Sequence, residues 1–253
     1  MGNKYFEHFK VKLLISNFNK LNRENYCIIP TKIEYDHRKA IQGCREYYER
    51  NGKYPLLASK YYYEFPNDVF ISENEYNPKY LEKRCNDIME NFELNMEYFT
   101  HLDKSKFNKI LDKFLKRNKF IECNDLNDVK EIKGIYILVL DEYKQVYIGK
   151  AENIKRRIMS HWSEKKPFCR LLFGSKENSI ISIDSFGALD TTRIFYKKYR
   201  YYVDLDKIEK SLVDEFDNAY LLNRTGGGLN SDDYVGFNTL AVSANKKTRN
   251  FKE

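Results

Sequence analysis

The spacing of apolar residues changes character near residue 131. Upstream, apolar positions recur at intervals of three and four. This holds over residues 6 to 21, at Ala40, Ile41, Cys44, Tyr47 and Tyr48, at Leu81, Cys85, Ile88, Phe92, Met96 and Phe99, and at Phe107, Ile110, Leu111, Phe114 and Leu115. Such stripes are the buried sides of helices, so residues 1–130 are expected to form a mainly helical domain. Downstream, residues 135 to 140 (IYILVL) are continuously apolar, too short for a typical helix and rich in β-formers. A polar turn at residues 141 to 144 and a second β-prone run at 145 to 149 complete a predicted hairpin.

After Gly149 the period returns to about 3.6, which predicts a helix from Ala151 to about Trp162. Ala151, Ile154, Ile158 and Trp162 fall on its buried side, and Asn153, Arg157 and His161 form a polar stripe along the border. Pro167 starts a short helix over residues 168 to 173, and residues 179 to 184 suit a short extra strand. RIFYKKYRYYV at 193 to 203 is the predicted third core strand, and DLDKIEKSLVDEF at 204 to 216 is a helix with Leu205, Ile208, Leu212 and Phe216 on its apolar face. The fold class expected is α+β, with a small three-stranded antiparallel sheet flanked by helices. The aperiodic polar stretch at 121–131 marks the boundary between residues 1–130 and 131–230, with 231–253 as an extension.

Composition adds limits. With 42% hydrophobic and 32% charged residues the chain has the make-up of a soluble globular protein. Five cysteines, none closer than 17 residues to the next and none in a CxxC pair, point to reduced thiols and exclude a cysteine zinc site. No apolar run is long enough to span a membrane, the first residues lack a signal-peptide core, and Phe6 breaks the myristoylation pattern begun by Gly2. A cytoplasmic protein is expected. The net charge of +7 permits a polyanionic partner.

That charge is unevenly placed. Residues 64 to 97 hold nine acids against three bases, whereas residues 104 to 119 hold seven bases against Asp112 alone. Lys106, Lys109, Lys113 and Lys116 lie in this basic segment, on a helix with an apolar back. A phosphate-contacting surface and a solvated face paired to the preceding acidic helix are both open readings.

Two tripeptides carry the chemistry. Gly134-Ile135-Tyr136 and Tyr147-Ile148-Gly149 leave ten residues between their tyrosines, and Gly149, Asn153, Arg157 and His161 follow at steps of four. This arrangement sets a guanidinium and an imidazole one helical turn apart beside two phenols, a geometry suited to gripping a phosphate. The stretch resembles the GIY-YIG nuclease family, whose pattern is GIY, about ten residues, YIG, then a helix bearing arginine and histidine. Ala151 departs from the serine often found there.

The resemblance implies metal-dependent hydrolysis of nucleic-acid phosphodiesters. It implies Tyr136 as general base, Arg157 as phosphate clamp, and Glu209 as ligand to Mg²⁺ or Mn²⁺. Asn223, fourteen residues after Glu209, matches the family's asparagine. Locally, Asp206-x-x-Glu209 also has the form of a helix capping box. A free tyrosine, with a pKa near 10, needs help to act as a base. Lys150 and His161 are candidates for that help, and Tyr147 for orienting water or phosphate. The expected function is an endonuclease on double-stranded DNA, of restriction or mobile-element type; the alternative is a nucleic-acid-binding or regulatory module on an inactive nuclease fold. YYERNGKYP at 47 to 55 resembles short helical DNA-binding repeats, and Gly226 to Gly228 lack the Lys-Ser/Thr pair of a nucleotide-binding loop.

Overall fold

The computed structural model describes residues 4–35, 69–72, 75–172 and 175–224, with Arg38, Glu49 and Arg50 singly. In chain order the elements are β1 (Tyr5–His8), β2 (Val11–Leu14), α1 (Arg23–Tyr26), β3 (Phe70–Ser72), β4 (Glu75–Tyr76), α2 (Pro78–His101) and α3 (Lys104–Asn118). There follow β5 (Ile121–Glu122), β6 (Gly134–Leu140), β7 (Gln145–Ala151), α4 (Ile154–Ser163), α5 (Phe168–Leu171), β8 (Arg193–Lys198) and α6 (Leu205–Glu215). The expected helix over residues 40 to 48, the YYERNGKYP segment, the glycines at 226 to 228 and the 231–253 extension lie outside the described residues.

Strand β6 is buried at all seven positions, because both faces of the sheet are covered. That is why its sequence is a continuous apolar run rather than an alternating one. The antiparallel sheet has the order β5-β8-β6-β7. The expected three strands are therefore joined by a two-residue fourth, with Ile121 opposite Tyr196 and Glu122 opposite Phe195.

Alternation along β6 sorts its side chains between two cores. Tyr136, Leu138 and Leu140 join Ile88, Phe92 and Phe99 of α2 and Ile154, Ile158 and Trp162 of α4. Ile135, Ile137 and Val139 join Phe107, Leu111 and Phe114 of α3 and Leu205, Leu212 and Val213 of α6. Both cores thus draw on residues from either side of position 131.

Local chemistry sets the helix limits. Asn77 and Asp103 accept hydrogen bonds from the Lys79 and Lys106 amides and cap α2 and α3, and Pro78 follows the first cap, where its missing N–H costs nothing. Helix α3 ends where Lys119 turns left-handed at φ 56° and returns its amide to Leu115 and Lys116.

Two expected elements take other forms. Residues 6 to 21 are not a helix: β1 and β2 pair through a tight turn in which Phe9 and Lys10 both have positive φ, 46° and 60°. Long-range bonds hold this arm in place. The Leu126 amide donates to the Phe9 carbonyl (3.1 Å), the Leu189 amide to that of Asn19 (2.8 Å), and the Leu21 amide to Asp190 (2.6 Å). A Cβ on Gly187 would collide with the Asn19 carbonyl, so the arm lies directly against that turn.

Residues 179 to 184 are not a strand either, because their backbone groups serve side chains. Asn91 and Asn95, both buried on α2, donate to the Ser179 carbonyl at 2.7 and 2.9 Å, and Arg224 Nε donates to that of Ile180 at 2.6 Å. Among the described residues, no helix is long and apolar enough to cross a membrane.

Candidate active site

The β6–β7 register sets Tyr136 opposite Gly149 and Leu138 opposite Tyr147, so the two tyrosines are diagonal neighbours on one face. Their ring centroids are 6.2 Å apart. Gly149 is the residue that permits this. A Cβ there would collide with the Tyr136 hydroxyl and come within 2.8 Å of the Tyr147 ring. Gly134 meets a similar limit, since a Cβ would run into the Lys197 carbonyl of the adjacent strand. The glycines of both tripeptides are thus explained by close approach, one of a backbone and one of two rings.

Helix α4 begins later than its periodicity suggests, because β7 continues through Ala151 and Asn153 caps the helix by accepting from the Arg156 amide at 2.8 Å. Arg157 then lies in the first turn and His161 one turn further, where it is buried rather than at the border. The Tyr136 hydroxyl and His161 Nε2 are 2.7 Å apart, and His161 Nδ1 and an Asp184 carboxylate oxygen are 2.5 Å apart. Lys166 Nζ donates to the other Asp184 oxygen at 3.0 Å.

The electrostatics fix the direction of this chain. Burial pushes the Asp184 carboxyl up, but the hydrogen bond from His161 and the Lys166 charge outweigh it and hold the group far below the usual carboxylate range. Burial lowers His161 from its ordinary 6.5, against the opposing pull of Asp184. A neutral imidazole facing an ionised carboxylate donates its Nδ1 proton, which leaves Nε2 to accept from Tyr136. The order is Tyr136 to His161 to Asp184, with Lys166 behind.

Both phenols are pushed up. Burial is the largest cause at each, and the Glu209 charge adds to it, while the Arg157 guanidinium beside both hydroxyls works the other way. Arg157 is itself raised: burial lowers it, and the two tyrosines and Asp184 overcome that.

From α6 the Glu209 charge acts on both tyrosines. Glu209 is buried, 6% exposed, on the same helix as the buried Leu205, Leu212 and Val213. The capping-box reading fails, because Asp204 is the N-cap and accepts from the Asp206 amide at 3.0 Å. Glu209 stands beyond the first turn, outside capping reach. Asn223 is buried behind β7, accepting from the Ile148 amide (2.9 Å) and donating to the Ile148 carbonyl (2.7 Å). It holds the strand between the two site tyrosines' backbone positions and so braces their spacing.

Tyr136, Tyr147, Arg157 and His161 are therefore brought together, with Asn223 as a brace and with the Glu209 charge acting on both phenols. Lys150 is not among them. It shares the sheet face of Val146 and Ile148 and forms an ion pair with Asp206. Lys106, Lys109, Lys113 and Lys116 are exposed on α3, which covers the sheet face opposite the tyrosines. Asp184 and Lys166 were not legible, since a carboxylate 23 residues after its histidine belongs to no recurring spacing. Among the described residues, no group of three or more His, Cys, Asp or Glu side chains could hold a metal ion. A cation here would have Glu209 as its protein carboxylate and keep several waters, which suits Mg²⁺.

Comparison with curated proteins and with solved structures finds no match in either set. The two tyrosines over Gly149, the arginine and histidine of α4 and the α6 glutamate all lie within residues 132–221, the part of the C-terminal half of the chain that matches the model of the GIY-YIG catalytic domain.

Proposed function

We propose that the chain is a metal-dependent endonuclease that hydrolyses DNA phosphodiester bonds, with double-stranded DNA as substrate and a restriction or mobile-element role. The observation that carries this reading is the meeting of one guanidinium (Arg157) with two phenols, one of them bonded to a neutral imidazole, where the charge of one buried carboxylate (Glu209) acts on both. Phosphoryl transfer needs a nucleophile freed of its proton, charge neutralised at the non-bridging oxygens, and a stabilised leaving group.

In this reading Tyr136 takes the proton of the attacking water while its own proton passes to His161 Nε2, and Asp184 faces the imidazolium that results. The raised phenol suits such a relay better than a standing phenolate, because Tyr136 stays protonated at neutral pH until His161 accepts. Arg157 holds the non-bridging oxygens, Tyr147 orients water or phosphate, and Asn223 keeps Ile148 and hence both tyrosines in register.

Nucleases of this family generally use a divalent ion. The residues fit one: Glu209 is buried and its negative charge acts on both phenols. Mg²⁺ or Mn²⁺ held there would neutralise phosphoryl charge and stabilise the leaving oxygen. Residues 1–130 are proposed to select the target, with Lys106, Lys109, Lys113 and Lys116 contacting phosphates, while 131–230 cleaves. All seven bases of that segment are exposed, and among the described residues the only ion pair they make is Arg117 to Glu215 of α6. The acidic helix before them does not neutralise them, which favours the phosphate reading.

The test is to incubate the purified protein with plasmid DNA, with Mg²⁺ or with EDTA, beside Glu209→Gln and Arg157→Ala. Metal-dependent strand scission by the wild type alone is the expected result. A wild type that binds DNA and cuts under no metal condition would favour the inactive-module alternative.

A further inference from the structure

Tyr201 and Tyr202 are 85% and 77% exposed, the two most exposed large apolar side chains among the described residues. Water-facing aromatic rings at that level forgo the burial that normally stabilises them. They are also held in place. The Val203 amide bonds to the Arg200 carbonyl (3.1 Å), closing a turn with the two tyrosines at its tip. Lys133 Nζ donates to the Tyr201 carbonyl (2.8 Å) and sits 5.0 Å from the centre of its ring. Arg200 Nη1 donates to the Tyr202 hydroxyl (3.1 Å).

The surroundings are cationic. Lys197, Lys198 and Arg200 flank the turn, Lys197 lies 5.5 Å from the Tyr199 ring, and Lys133 supplies a further positive charge that Glu152 partly offsets at 2.9 Å. The position is equally specific. Lys198 pairs with Gly134, two residues along β6 from Tyr136, and the turn leads straight into the helix that carries Glu209.

We propose that this turn is a stacking platform for unpaired nucleotides that adjoin the duplex of the substrate, next to the phosphate that is cut. Two rigid aromatic faces in a cationic rim match a strand whose bases are unstacked and whose backbone is anionic. A fully paired duplex keeps its bases stacked inside and offers such rings only its ends. The proposal rests on the nuclease reading for its placement, and its test does not depend on cleavage.

The full-length protein in EDTA is titrated against a fluorescent blunt duplex and against the same duplex carrying an oligothymidine tail. The wild type is expected to bind the tailed duplex more tightly. Tyr201→Ala/Tyr202→Ala should lose about tenfold or more on the tailed duplex, tenfold being the scale of a single stacked base, and stay within about twofold on the blunt one. The Tyr201→Phe/Tyr202→Phe variant should bind as the wild type does, because a phenyl ring stacks equally well. The proposal falls if the wild type has no preference for the tail, if the alanine variant loses equally on both duplexes, or if phenylalanine loses as much as alanine. Failure of the nuclease reading would show separately, as no scission on adding Mg²⁺ while the preference for the tail persists.

Discussion

Among the described residues, the Tyr136 hydroxyl has His161 Nε2 as its acceptor at 2.7 Å, and the rest of the site follows from that bond. Tyr136→Phe removes the proton and should cut turnover by about 10²-fold or more, the scale of general acid–base catalysis. His161 must be neutral to accept, and its pKa is lowered from 6.5. Activity should therefore fall with acid only below about pH 6.5, and a rate that climbed instead through the alkaline range would return the base role to a free phenolate. Asp184→Asn deletes an interaction that raises His161, so the acid limb should move to lower pH as turnover drops with little change in KM. An unmoved limb would reduce Asp184 to a packing role. Glu209→Gln keeps the volume of a buried side chain and should cost about 10²–10³-fold in rate. Mn²⁺ should raise the melting temperature of the wild type and not that of Glu209→Gln, which checks the ligand without reference to turnover.

Among the elements, the β6–β7 hairpin is the one whose sequence and geometry agree most closely. Gly149→Ala forces a methyl group into the Tyr136 hydroxyl, so it should destabilise by about 1–3 kcal/mol in urea unfolding and lose activity as the rings separate. Stability equal to the wild type would mean the rings have room to give. Hairpin, β8, α4 and α6 were legible because their apolar spacing is produced by the same burial that forms them. The β1–β2 arm was not, because its intervals of three and four also suit a helix, and what decides is its bonding to Leu126, Leu189 and Asp190, more than a hundred residues away. The stretch at 179–184 failed for the converse reason: its β-prone residues have their carbonyls taken by Asn91, Asn95 and Arg224.

In the molecule as a whole, α3 has two tasks, since its apolar side covers the sheet and its basic side faces solvent. If about four of its lysines touch phosphates, log affinity should fall with log salt at a slope near −3 to −4, from about −0.9 per contact. Replacing Lys106, Lys109, Lys113 and Lys116 by glutamine should flatten that slope; an unchanged slope removes the helix from the interface. Phe107 and Leu111, both 0% exposed, pack in the core that holds Ile135 and Ile137. A 131–253 fragment should therefore unfold without cooperativity by circular dichroism, whereas one beginning at residue 78 should melt as a unit. Acid should weaken the whole fold. His161 and Asp184 are both depressed, from 6.5 and 3.8, so each supports the native state above its ordinary pKa and loses that support as pH falls towards the native one. Melting temperature should drop below about pH 6.5 and again below about pH 4, and the second step should be smaller in Asp184→Asn.

By itself the sequence determined the hairpin, the helix with Arg157 and His161, the later helix with Glu209, and the spacing that matches the GIY-YIG catalytic domain model. These are local periodicities and fixed steps, carried by burial that each element performs on its own face. Only the tertiary structure decided the rest. Whether Glu209 takes part in the cap of its helix depended on Asp204, which holds the N-cap position. Whether Lys150 serves Tyr136 depended on which sheet face it shares, and the side-chain alternation of a strand sent it to Asp206. The partner that fixes the His161 tautomer, Asp184, comes from a turn whose path is set by bonds to distant helices. Contacts between residues far apart in the chain leave no period along it, and that is why they appear only once the chain is folded.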